Sequence, residues 1–210
     1  MIDRVSRKKL AISKRQAQIL RAAMNVFVRK GYTAATIPEI AKSCGLAVGT
    51  IYIYFPSKHE LFISVVKSLI VAPVIGIFEN KVSQDFPTIL KDTIENRIGF
   101  LQGRSLNSVL ALMGEIQRDD ALRAMFAEKV IKPFLGRMEN IYRARIDSGE
   151  FRKMEPEIVV RLIGSMIIGM SMLEMTEGET SPLNRISQEK LGDEIMNFIL
   201  HGLLKPATKS

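Results

Sequence analysis

One cysteine, two histidines and no tryptophan stand among the 210 residues. A lone cysteine, Cys44, excludes an intramolecular disulfide and suits a reducing compartment, so the cytoplasm is the expected location. In a helical stretch such a cysteine is ordinarily a small buried hydrophobe. His59 and His201 lie far apart, and neither belongs to a Glu-x-x-His or Cys-x-x-Cys spacing, so no metal and no cofactor is expected. There is no phosphate-cradling glycine loop and no nucleophile motif, which leaves enzyme chemistry without a candidate residue. An uninterrupted apolar run is also missing. The first nine residues are charged rather than apolar, unlike a signal peptide. The longest apolar stretch, 158–173, is broken by Arg161 and diluted by Gly164, Ser165, Gly169 and Ser171. A bilayer span needs about 20 predominantly apolar residues. The stretch therefore reads as a buried helix of a soluble protein with no membrane partner.

Acidic residues are scarce in one region only. Residues 1–58 hold 11 Lys/Arg against Asp3 and Glu39, a net of +9, while the remainder holds 19 against 20. Positive charge concentrated in this way gains free energy from counterion release on a phosphate backbone, which points to a polyanion partner such as double-stranded DNA. A sensor whose basic head meets an anionic membrane or another polyanion is the alternative.

Nearly every segment carries apolar residues at helical spacing, so the fold class is all-α. Ile19, Leu20, Ala23, Met24 and Phe27 mark one face of a first helix over about 13–29, preceded by a mobile basic tail and closed by Gly31. Thr36-Ile37-Pro38-Glu39 and Ser57-Lys58-His59-Glu60 are capping-box patterns. Between them lie two short helices, 37–43 and 48–54, separated by a turn at Gly45. Longer helices are expected over 87–101 and 106–117, and over 119–147 with a kink at Pro133. Two more follow, over 157–175 and 188–204.

Two short helices joined by a glycine-containing turn form a helix-turn-helix, whose second helix enters the major groove. Ile51 faces inward beside Ile37, Ile40 and Ala41. Thr50 and Tyr52 face out, with Tyr54 just beyond, and Gly49 permits close backbone approach. The pattern Thr36-(x)3-Ile40-Ala41-(x)3-Gly45-Leu46-(x)2-Gly49-Thr50-Ile51-Tyr52-(x)-Tyr54-Phe55-(x)-Ser57-Lys58-(x)-Glu60-Leu61 resembles the DNA-binding domain of the TetR family of transcriptional regulators. The preceding Ile19-Leu20-(x)-Ala22-Ala23-(x)2-Val26-Phe27-(x)3-Gly31-Tyr32 is similar to that family's first helix. The resemblance covers residues 15–62. It implies a homodimer bound to a palindromic operator, usually as a repressor, and released by a small molecule held in the second domain. Residue by residue, it implies that Thr36 caps its helix and touches phosphate. Val48, Gly49, Thr50 and Tyr52 would face the groove, and Tyr54 and Lys58 would meet backbone phosphate. Two positions depart from the pattern: Ala47 removes a side-chain cap, and Val48 replaces a long polar residue. With Ile53 also apolar, few side chains offer bidentate base contacts, so backbone contacts and the basic arm are expected to supply much of the affinity.

The boundary falls at 58/59, giving a basic arm and helix-turn-helix domain (1–58) and a helical effector-binding and dimerisation domain (59–210). In the latter, Phe100, Met113, Phe126, Phe134, Met138, Met166 and Met170 are candidates to line a pocket for a largely apolar ligand. Gly164, Ser165, Ile168, Gly169, Met172, Ile195, Phe198 and Ile199 are candidates for the dimer interface, because the last two helices are more apolar than one domain face needs.

Overall fold

The computed structural model describes residues 4–71, 86–91 and 104–203. Its elements are α1 (Arg4–Ala34), α2 (Ile37–Ser43), α3 (Val48–Tyr54) and α4 (Lys58–Ile70), a helical stretch at 86–91, then α5 (Arg104–Arg118) and α6 (Asp120–Phe126). A π-helical turn (Ala127–Ile131) leads into α7 (Lys132–Asp147), followed by α8 (Pro156–Glu177), two 3-10 turns and α9 (Gln188–Leu203). The chain divides into two compact units. One contains α1–α4 with α5 and α6 as far as Val130, and the other contains 86–91 and α7–α9.

In the first unit α1 begins at Arg4, not near Ser13. Residues 4–12 hold neither glycine nor proline, so nothing stops the helix from extending towards the N-terminus. It breaks at Gly31, whose φ of 78° is a left-handed value that a side chain would strain. Ile19, Ala23, Val26 and Phe27 of α1 are buried, as are Leu61, Phe62, Val65 and Val66 of α4. The Phe27 and Phe62 rings meet edge-on at 5.1 Å. Leu112, Ile116 and Leu122 are fully buried in the same unit. This compact unit therefore runs past the 58/59 boundary, because α4 carries an apolar stripe that α1 covers.

The helix expected over 119–147 with a kink at Pro133 is continuous from Asp120 to Asp147, with a π-helical turn at Ala127–Ile131 just ahead of Pro133. Asp119 caps α6 by accepting from the Leu122 N–H at 2.9 Å. The π turn then precedes Pro133, whose ring clashes with the carbonyl four residues back and cannot continue the ladder. Of the helix expected over 87–101, residues 92–101 lie outside the described residues.

The second unit has its own core of Phe86, Leu90, Tyr142, Phe151, Val159, Leu191, Ile199 and Leu203. Phe151 sits between Phe86 (4.8 Å) and Tyr142 (5.0 Å). One side of α8 serves this core: Val159 belongs to it, and Ile163, Met166 and Met170 pack against it at helical spacing. The other side is bare. Ile158, Leu162, Ile168 and Leu173 are each more than half exposed, so α8 is not the buried helix expected from its composition. A helix apolar all round needs covering on every side, and this unit covers only one. By length and composition alone, Pro156–Glu174 is long and apolar enough to cross a membrane.

Candidate nucleic-acid interface

Thr36 starts α2 in extended geometry, and its hydroxyl accepts from the Glu39 N–H at 3.3 Å. The Glu39 carboxylate is held by Lys30 (2.7 Å) and Arg29 (3.3 Å), and chiefly the Lys30 hydrogen bond keeps its pKa below the ordinary value. The turn after α2 closes on three backbone bonds, Cys44 N–H to the Ile40 carbonyl, Gly45 N–H to that of Lys42 and Leu46 N–H to that of Ala41. Gly45 takes φ 66° in it. Gln18 of α1 donates to the Cys44 carbonyl at 2.8 Å and pins the turn. Cys44 is half-buried, not fully buried. Its thiol donates to the Ala41 carbonyl, and desolvation pushes its pKa up.

Ala47 precedes α3 in extended geometry with no side-chain cap, as its methyl dictates. Ile51 is fully buried, and Ile37, Ile40, Ala41 and Phe55 are buried too. One side of α3 is thereby fixed. The other is open: Val48 is 38% exposed, Tyr52 47% and Ile53 80%. Gly49 is exposed, with nothing within 4 Å of where a Cβ would stand. Thr36 is exposed, and Thr50 and Tyr54 are half-buried. Ile53 is the most exposed large hydrophobe among the described residues, and it is absent from the groove-facing set read from the sequence. Its position one helical turn after Gly49 was the available signal.

Ser57 caps α4 through the Glu60 N–H at 3.1 Å, and the Glu60 carboxylate pairs with Lys129. Lys58 donates to the Thr33 carbonyl at 3.1 Å, and its ammonium lies 4.4 Å from the centre of the Tyr32 ring. Burial pulls the Lys58 pKa down, and Glu115 opposes that shift. The Tyr32 ring also meets those of Phe62 and His59. Desolvation, then the charge of Asp119, pushes the Tyr32 phenol up to about 12.

The candidate pocket residues are not gathered into one place. Phe100 lies outside the described residues. Met113 and Phe126 belong to the first unit, with Phe126 buried there. Phe134, Met138, Met166 and Met170 belong to the second and are half-buried. A cleft of about 320 Å³ in that unit is lined by Arg143, Ile146, Asp147, Lys153, Met154, Glu155 and Pro156, none of them a candidate. The Tyr142 hydroxyl is buried without a hydrogen-bond partner among the described residues. Of the candidate interface, Ser165, Ile168, Met172 and Phe198 are exposed, and Gly164 and Gly169 are half-buried. Ile195 and Ile199 turn inward instead. Spaced one turn apart, they share the face of α9 that packs into the unit's own core.

A short helix anchored on one side and open on the other, within the strongly basic residues 1–58, defines a helix-turn-helix protein that binds DNA. The model for bacterial regulatory proteins of the tetR family matches residues 19–65. The fatty acid metabolism regulator protein of Bacillus subtilis is 26% identical over 159 residues, 72% of this chain and 77% of that one. An HTH-type transcriptional regulator of the same organism is 29% identical over 82% of this chain and 91% of its own. A TetR-family regulator from Mesorhizobium loti superposes with a TM-score of 0.68 at 20% identity, covering 92% of this chain and 98% of that one. The regulator FadR from Bacillus subtilis, solved in complex with stearoyl-CoA, does so at 0.67 and 23% identity, covering 89% and 98%. These likenesses to solved structures concern the fold. Residues 19–65 are a DNA-binding domain of the tetR type, and the chain is a DNA-binding transcriptional regulator.

Proposed function

We propose that the chain acts in the cytoplasm as a homodimeric repressor that sets one α3 per subunit into the major groove of a palindromic operator. The supporting observation is the open side of α3, whose opposite side is locked by the fully buried Ile51. Val48, Gly49, Thr50 and Tyr52 face the bases, while Thr36, Tyr54 and Lys58 meet phosphate. Half-sites then lie about 34–36 Å apart or a multiple of that, mirroring the two-fold symmetry of the dimer. The Thr33 carbonyl and the Tyr32 ring hold the Lys58 ammonium in place before DNA arrives, so little side-chain entropy is lost on docking. The dimer forms through the bare side of α8 and through Phe198 of α9.

The second unit takes up a small, largely apolar effector, with Phe134, Met138, Met166 and Met170 supplying adaptable apolar contacts and the Tyr142 hydroxyl a polar one. The likeness to a fatty acid metabolism regulator, and to a structure holding stearoyl-CoA, points to a long acyl chain as its chemistry. The test is fluorescence anisotropy of a duplex selected from a random pool, titrated with the chain and then with a series of acyl-CoA thioesters. Salt-dependent, sequence-preferring binding that a long-chain thioester reverses is the expected result. Co-flotation with anionic liposomes but no preference for any duplex would contradict the reading.

A further inference from the structure

The helix that faces DNA in this reading is unusual in what it lacks. Its seven residues, Val48-Gly49-Thr50-Ile51-Tyr52-Ile53-Tyr54, include no Arg, Lys, Asn, Gln, Asp or Glu. Guanine is ordinarily read by the fork of Arg or by Lys, adenine by the amide of Asn or Gln, and the cytosine amine by a carboxylate. None of these pairings is open to α3. The one base feature in the major groove that asks for no hydrogen bond is the 5-methyl group of thymine.

The geometry supplies the complement to that group. Ile53 is 80% exposed, and Tyr52 and Val48 are open beside it. Val48 and Tyr52 are one helical turn apart, as are Gly49 and Ile53, so the four residues form adjoining stripes on one side of the helix. Gly49 leaves the floor between the stripes clear, with nothing within 4 Å of its absent Cβ. The buried Ile51 prevents the helix from rolling this side inward. A net charge of +9 over residues 1–58 brings this apolar patch against a polyanion rather than an apolar partner.

Resting on the reading of α3 as the groove-facing helix, we propose that Ile53, flanked by Val48 and Tyr52, is a specificity-determining residue of this regulator, and that it selects thymine by packing on its 5-methyl group. The operator half-site beneath α3 then carries thymine where the patch lands.

The test replaces thymidine by deoxyuridine, one position at a time, in the half-site of a selected duplex. The exchange keeps every hydrogen-bonding atom and removes one methyl group. Binding of the full chain is read by anisotropy at fixed salt. At one or more half-site positions the exchange should weaken binding by about threefold to fivefold, the value of one buried methyl-sized group. Ile53→Ala should bind the thymidine duplex more weakly by about the same factor and lose sensitivity to deoxyuridine at that position. Because Ile53 is exposed, its thermal melt should match wild type, which separates lost recognition from lost fold. The proposal is overturned if no half-site position responds by more than about 1.5-fold. It is equally overturned if Ile53→Ala keeps the full penalty everywhere, or if the selected half-site holds no thymine. Each of these leaves the DNA-binding reading standing. Absence of preference for any duplex would instead defeat that reading and the inference with it.

Discussion

At the scale of single residues, Tyr32 ties α1 to α4 in the first unit. Its ring carries the Lys58 ammonium, meets Phe62 and His59, and feels the charge of Asp119. With a folded pKa of about 12 against an ordinary 10, the phenol holds its proton more tightly in the folded state. Its contribution to stability is therefore whole below pH 10 and is lost as pH rises through 12. An ultraviolet absorbance titration of the folded chain should show a late-ionising phenol that Tyr32→Phe abolishes. Thr36→Ala should lower the unfolding free energy by about 1 kcal/mol, measured by urea denaturation, because the Glu39 N–H loses its acceptor. Thr36 was legible in the sequence, since a cap is a local pattern four residues long. The meeting of Tyr32 and Lys58 was not, because only the folded chain brings the two together.

At the scale of elements, the bounds expected for α2 and α3 coincide with those observed, because a cap, a proline or a positive-φ glycine stands at their ends. Where such signals are missing, the bounds are not legible. No breaker stands before Ser13, so α1 continues back to Arg4, and no local pattern marks the π-helical turn ahead of Pro133. Gly45 and Gly49 separate two roles of glycine. Gly45→Ala places a side chain at φ 66° and should destabilise the fold by about 1–2 kcal/mol. Gly49 lies within α3 with open space around it, so Gly49→Ala should keep or raise thermal stability, by up to about 1 kcal/mol. The same exchange should weaken duplex binding if the backbone of α3 approaches DNA as proposed. A melt and an anisotropy titration on each variant distinguish the two cases.

At the scale of the whole molecule, the apolar character of α8 was visible in the sequence, but its division of labour was not. Composition cannot tell a helix covered by its own domain from one that awaits a second copy, since both read as apolar on every side. The inward set of Val159, Ile163, Met166 and Met170 is satisfied within the chain, and the outward set is not. Ile168→Glu with Phe198→Glu should therefore shift the chain from dimer to monomer in sedimentation velocity without lowering helical content. Operator affinity should fall by tenfold or more, because two linked heads bind with an effective concentration that single heads lack. A dimer that survives both charges would place the interface elsewhere.

The measurement that bears most directly on the docking of α3 is selection of bound sequences from a random duplex pool, run in parallel with wild type, Tyr52→Ala and Lys58→Ala. Wild type should enrich an inverted repeat. Tyr52→Ala should change the bases preferred within each half-site. Lys58→Ala should keep the same preference while weakening binding to all sequences and lowering the salt slope by about one. An unchanged preference for Tyr52→Ala, or no enrichment by wild type, would contradict a recognition helix whose open side lies in the groove.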